Sequence, residues 1–168
     1  MTDDVASVAR ERRERKADRY KPRRISLLLV AEAPPAALDR YFYFDNVHTK
    51  DDLFRYVCRG ALGKEPDRSE KAVLLGELRD KGMFLIDLQE EPIDGTPLRQ
   101  SVPRLIERCR ALEPRKIILI KATVFDVAYS ALKEADLPVS NVRVPFPGSG
   151  RQREFTIAFS RALEEVSA

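Results

Sequence analysis

Four groups of side chains in this sequence have the types and spacing that chemistry needs. Glu32 follows the apolar run Leu27-Leu28-Leu29-Val30-Ala31 and precedes Ala33, Pro34 and Pro35. Asp87 closes a second apolar run, Met83-Phe84-Leu85-Ile86. Between them lie the rings Tyr41-Phe42-Tyr43-Phe44, with Asn46 and His48 in the same stretch. Late in the chain stands Pro147-Gly148-Ser149-Gly150-Arg151-Gln152-Arg153. An acid delivered into a crevice can act as a general base or orient a water. An aromatic face can stack a nucleobase for about 1–3 kcal/mol. Glycines beside the free N–H groups of a helix start let a phosphate approach, and arginines in the first turn add charge-assisted bonds.

Each group also has a purely structural reading. Glu32 can be an acid paired with an arginine. Asp87 can be a turn residue that bonds the backbone at Glu90-Glu91. If the aromatic run is extended, alternate rings point to opposite sides, so two face a ligand and two enter the core. The glycine-rich stretch can be a plain strand-to-helix turn with Ser149 as N-cap. Lys121 either touches a phosphate at the rim or is simply solvated. A lone histidine, His48, is more often structural than catalytic.

Composition narrows the classes. The 168 residues suffice for one domain with a real core. With 43% hydrophobic and 34% charged residues the chain reads as globular. No apolar run approaches a membrane span, and no apolar segment follows the charged N-terminus as in a secretory signal, so the cytoplasm is the expected compartment. Cys58 and Cys109 lack metal-ligand spacing and are expected as reduced thiols, and a single histidine excludes a site built on several imidazoles. No Walker loop and no Gly-x-Gly-x-x-Gly follows the first strand, so no nucleotide cofactor is implied. The net charge of +3 is concentrated: residues 1–24 carry nine Lys/Arg against five Asp/Glu, and the rest of the chain is close to neutral. A basic arm of this kind can grip phosphates, or it can be a solvated helix.

The elements that must position these groups alternate. Residues 1–19 are expected as a helix broken by Pro22. Strands are expected at 25–31, 83–88, 116–120 and 141–144. Helices are expected after Thr49 or Asp51, over 67–81, 98–112 and 124–135, and from 151 to 166. Strands alternating with helices imply an α/β domain over 25–168. Its sheet would be parallel and four-stranded, covered by helices on both faces in three α/β/α layers. Ligands bind such sheets at the C-terminal strand edge. That edge should gather residues 32–44, 87–91, 121–123 and 146–153.

With these motifs in order, residues 25–166 resemble the uracil-DNA glycosylase superfamily. Ala31-Glu32-Ala33-Pro34-Pro35 is similar to the family's Gly-Glu-Ala-Pro-Gly motif after the first strand. Phe44, or else Phe42, matches its base-stacking aromatic. Leu85-Ile86-Asp87 stands where a strand ending Leu-Leu-Asn supplies a base-reading amide. Phe146-Pro147-Gly148 occupies the place of a His-Pro-Ser loop that enters DNA. The resemblance implies a glycosylase-like fold acting on a flipped-out nucleotide. It places Glu32 at the water, Asp87, Phe44, Phe42 and Phe146 at the base, and Gly148, Ser149, Gly150, Arg151, Arg153 and Lys121 at DNA phosphates. It implies duplex DNA with a modified base as partner, no cofactor, metal or membrane, and a monomer. The chain departs from the pattern at three positions. Ala33 replaces the water-activating Asp of the best-known branch, Asp87 its Asn, and Phe146 its His. Two cysteines stand against the four of the iron–sulfur branch. An ionised Asp87 accepts but does not donate, and would repel uracil's carbonyls unless protonated. The expected function is therefore base excision with altered specificity. The alternative is a catalytically silent glycosylase-fold module that binds nucleic acid or a nucleotide.

Overall fold

A computed structural model describes residues 2–45 and 51–167. Its helices and strands follow one another as α1 (Asp3–Arg19), β1 (Leu27–Ala31), α2 (Asp52–Leu62), α3 (Lys71–Asp80), β2 (Met83–Asp87), α4 (Val102–Leu112), β3 (Ile117–Leu119), α5 (Ala122–Glu134) and α6 (Gln152–Ser167). Short 3-10 turns, Arg68–Glu70 and Leu98–Ser101, lead into α3 and α4. Asn46 and His48 lie outside the described residues.

The sheet is parallel, with strand order β2-β1-β3. β1 is central and every one of its residues is buried. That burial explains why it reads as an unbroken apolar run: a parallel strand covered on both faces has no polar side to show. Its register pairs Leu29 with Leu85 and Ile118, and Ala31 with Asp87. Gly82 fixes the entry. Its carbonyl accepts from Ser26 N and Leu27 N, its φ is +79°, and a Cβ there would lie 2.6 Å from Ser26 Oγ. Among the described residues no strand flanks β2 on its other side, where Tyr43 bonds to it. The buried Tyr43 hydroxyl donates to Leu85 O at 2.9 Å and accepts from Leu85 N at 2.6 Å, satisfying groups that an exposed edge would leave open.

The sheet has three strands among the described residues where four were expected. The segment expected as the fourth runs beside β3 but pairs with it only at Ile117↔Val139 and Ile120↔Val144. Between these points the buried Ser140 draws the chain away. Its hydroxyl accepts from Val142 N at 3.2 Å and donates to Glu165 Oε2 at 2.9 Å. Pro138, Pro145 and Pro147, which have no N–H, border the segment. By contact the helices form two groups, α2 with α3 and α6, and α4 with α5. Both cysteines are buried and unbridged, on α2 and α4, and burial pushes their thiols up to about 12 and about 11. No helix among the described residues is long and apolar enough to cross a membrane.

The N-terminal basic segment is a docked helix rather than a free arm. Arg10 pairs with Glu90 and Glu91 at 2.9 and 3.3 Å, Arg13 with Glu91 at 3.4 Å, and Lys16 with Asp45 at 2.9 Å. Arg13 is the one buried residue of α1. The helix is followed by Tyr20, whose ring stacks on Tyr43 and whose hydroxyl donates to Asp45. Four basic side chains of the segment that could have gripped phosphates, with Arg19 at 4.0 Å from Asp45, are thus paired with acids of the domain itself. Pairs this exposed contribute about 0–1 kcal/mol each, so the docking should be salt-sensitive. In about 1 M salt, where the Debye length shrinks to roughly 3 Å, α1 amides are expected to exchange hydrogen faster while β1 amides stay protected. Unchanged α1 protection would show that its apolar contacts suffice.

Candidate functional site

The C-terminal ends of the strands frame a cavity of about 240 Å³. Residues 31–35 form one wall, Leu85 and Asp87 of β2 the floor, and Arg40, Tyr41 and Phe42 a second wall. Asp51, Leu53, Lys121 and Phe146 complete the rim. Parallel pairing explains the gathering. Beyond the strands the ladder runs on, with Leu88 N donating to Ala31 O and Gln89 N to Glu32 O. Glu32 and Asp87 are therefore neighbours by register.

Asp87 is 9% exposed, and its carboxylate accepts no hydrogen bond from a described residue. The nearby Arg108 serves the main chain instead, donating from Nη2 to Asp87 O at 2.7 Å and to Leu88 O at 3.0 Å. Burial pushes the Asp87 carboxyl up to about 7, with the charges of Arg108 and Arg13 opposing and Glu32 adding to the shift. The expected bond from Asp87 to the Glu90-Glu91 backbone is not made. Asp87 and Tyr41 also border a second cavity, about 290 Å³, under α1.

Glu32 is engaged at both oxygens. Lys121 Nζ stands 2.8 Å from Oε1, and Thr123 Oγ1 donates to Oε2 at 3.3 Å. The partner is a lysine where an arginine was envisaged. Lys121 holds this position with φ +87°, a sparsely populated conformation for a residue with a side chain. Glu32, expected at the water, and Lys121, expected at a phosphate, are thus held by each other in this structure.

The aromatic run is a turn rather than an extended strand, with Phe44 N donating to Tyr41 O. The rings therefore do not alternate. Tyr43 enters the core, Tyr41 and Phe42 face the cavity, and Phe44 turns toward α1, where the Arg12 guanidinium sits 4.5 Å from its ring centre. Phe42 packs edge-on against Phe54 and Tyr43. Of the two stacking candidates the cavity contains Phe42 and excludes Phe44. Phe146 lines the cavity and is 39% exposed.

The glycine-rich turn lies outside the cavity wall. The close approach at Gly148 is to the Phe146 ring: a Cβ there would meet it at 3.0 Å. Ser149 and Gly150 have φ of +53° and +82°, and Phe155 N donates to Arg151 O, so the first helical bond of α6 starts from Arg151 rather than Ser149. Arg151 and Arg153 are exposed. Neither lines the cavity, so any phosphate they hold would belong to a ligand that extends out of it.

Three polar lining residues, Arg40, Tyr41 and Asp51, are not among the site residues read from sequence. Arg40 makes no ion pair with a described residue and offers a free cation at the rim. Tyr41 was weighed only as part of the run. Asp51 was considered only as a helix cap, but its side chain makes no capping bond. Lys71, fully buried behind the wall, holds Asp51 instead, at 2.6 Å. No local signal marks these residues, because each reaches the cavity only through long-range packing. No group of three or more His, Cys, Asp or Glu among the described residues could hold a metal. Neither the family models nor the curated proteins compared with this chain match it.

The Asp87 geometry has a consequence for stability. Between about pH 4 and pH 7 the folded protein retains a proton on Asp87 that the unfolded chain has lost, so this group lowers stability as pH rises through that window. For a group this buried the full effect is roughly 4 kcal/mol. Asp87→Asn is therefore expected to gain stability relative to the parent between about pH 4 and pH 7 in urea titrations. Stability curves that remain parallel would contradict the burial argument.

Proposed function

We propose that the cavity receives a nucleobase turned out of duplex DNA, and that the protein cleaves its N-glycosidic bond as a divergent relative of the uracil-DNA glycosylases. The observation that carries this reading is the buried Asp87 at the end of β2, whose carboxylate accepts no hydrogen bond from a described residue. In its neutral form a carboxyl presents one O–H donor beside one C=O acceptor. That is the pattern of an amide, and it suits a base edge with an acceptor next to a donor. Phe42 offers a stacking face, and Ala31, Ala33, Pro34 and Pro35 supply apolar lining beside a few polar groups. The order β2-β1-β3 with residues 138–144 beyond β3 supports a three-layer glycosylase-like arrangement.

In this reading water oxygen bonds to C1′ and the C1′–N bond breaks. Its electron pair leaves with the base, and the Asp87 O–H supplies a hydrogen bond and then a proton to the departing nitrogen or oxygen. A second reading, binding without cleavage, is favoured by one observation: both oxygens of Glu32 are occupied.

Duplexes carrying uracil, hypoxanthine, xanthine or alkylated bases discriminate between the two. One of them is expected to become alkali-labile after incubation. Its binding should weaken above about pH 7 as Asp87 ionises, whereas binding by Asp87→Asn should not. Tight binding with no alkali-labile product on any duplex supports the silent module, and no binding at all rejects both readings.

Phosphate contact is expected from Arg40 in the cavity lining and from the exposed Arg151 before α6, neither of which makes an ion pair with a described residue. Arg40→Ala and Arg151→Ala should each weaken DNA binding and reduce the slope of log K against log salt by about one, measured by anisotropy between about 50 and 200 mM salt. A slope unchanged in both would place the DNA on another face.

A further inference from the structure

The geometry points to Asp51 as the carboxylate that positions and deprotonates the attacking water, with Lys71 as the residue that positions Asp51. This rests on the glycosylase reading above. The reaction needs a base near the sugar, and Glu32 is a poor candidate because Lys121 and Thr123 occupy its oxygens. Asp51 is the remaining acid on the cavity wall.

Its surroundings are unusual for a helix cap. Asp51 occupies the N-cap position of α2, where a carboxylate ordinarily accepts from the first-turn N–H groups, yet its side chain makes no such bond. Oδ2 instead accepts from Lys71 Nζ at 2.6 Å, and Oδ1 accepts from no described residue. Lys71 is 1% exposed, and Nζ also donates to Tyr41 O at 3.1 Å and lies 4.8 Å from the centre of the Phe54 ring. The ammonium is thus held on three sides and fixes the carboxylate. Burial pulls the Lys71 ammonium down, and the Asp51 charge opposes that pull. Taking both charges out of water is costly, and replacing such a pair with apolar groups often stabilises a protein. A pair of this kind at a cavity wall therefore suggests use rather than stability. The same cavity holds a second feature that points to a ligand: the Asp87 carboxyl in its floor, buried and accepting no hydrogen bond from a described residue.

The proton balance is simple. Asp51 takes one proton from water as the oxygen bonds to C1′, and the departing base takes one from Asp87. Turnover requires only that solvent exchange the two.

Asp51→Asn alone leaves Lys71 buried without its counter-ion and can unfold the protein, so the decisive variant is Asp51→Asn/Lys71→Met, which removes both charges. It is expected to melt at or above the parent temperature and to bind the cleavable duplex within about twofold. Its single-turnover base release should fall by about 10²–10⁴. In Asp51→Ala/Lys71→Met, added formate is expected to restore part of the lost rate, which a structural role would not produce. A folded double variant with parental cleavage, or a full rate loss in Glu32→Gln with none in the double variant, overturns the assignment to Asp51 alone. A parent protein that binds every duplex and cleaves none overturns the glycosylase reading and this inference together.

Discussion

The constraint on which the molecule depends is the parallel pairing of β1 with both neighbours. β1 is apolar along its whole length and buried on both faces. Because β2 and β3 run the same way, the three strands end on one side, and the chain emerges there three times. Glu32 leaves β1 next to Asp87 of β2, and Lys121 leaves β3 close enough to bond Glu32. Antiparallel pairing would have divided these residues between opposite edges. The cavity is thus a consequence of strand direction, and the helices supply the cover that buried parallel strands need.

Electrostatics then separate the rim residues by whether a partner reaches them. Glu32 is paired with Lys121, and Asp51 with Lys71 behind it, whereas among the described residues Arg40 has no ion-pair partner and the Asp87 carboxylate no hydrogen-bond donor. The basic helix α1 follows the same division: its charges meet Glu90, Glu91 and Asp45, so the strongest positive stretch of the sequence presents less free charge than its composition suggests. The exposed cations with no such partner, Arg151 and Arg153, stand instead at the start of α6.

Much of the architecture was legible because apolar periodicity and breakers act locally. Gly82 and Gly63 end or follow helices with positive φ, and the uninterrupted runs at 27–31 and 83–87 are strands. The fourth strand was not legible. Its alternation over 141–144 resembles a strand, but a buried serine hydroxyl that bonds Val142 N and Glu165 competes for the backbone, and Glu165 is distant in sequence. The aromatic run failed for a related reason. Four rings in succession carry no information on whether the backbone is extended or turned, and the bond of the Tyr43 hydroxyl to Leu85 decides it.

By itself the sequence determined the α/β class, the positions of most elements, and the strand edge at which Glu32 and Asp87 lie. These follow from residue spacing and strand direction, which are local or topological. Tertiary structure alone decided which acid is free and which is tied, that Phe42 rather than Phe44 faces the cavity, and that Asp51, Lys71 and Arg40 belong to it. Hydrogen-bond partners and burial set the charge state and availability of a side chain, and those partners come from residues 20 to 90 positions away, as in Lys71 with Asp51 and Lys121 with Glu32. No window along the chain contains that information.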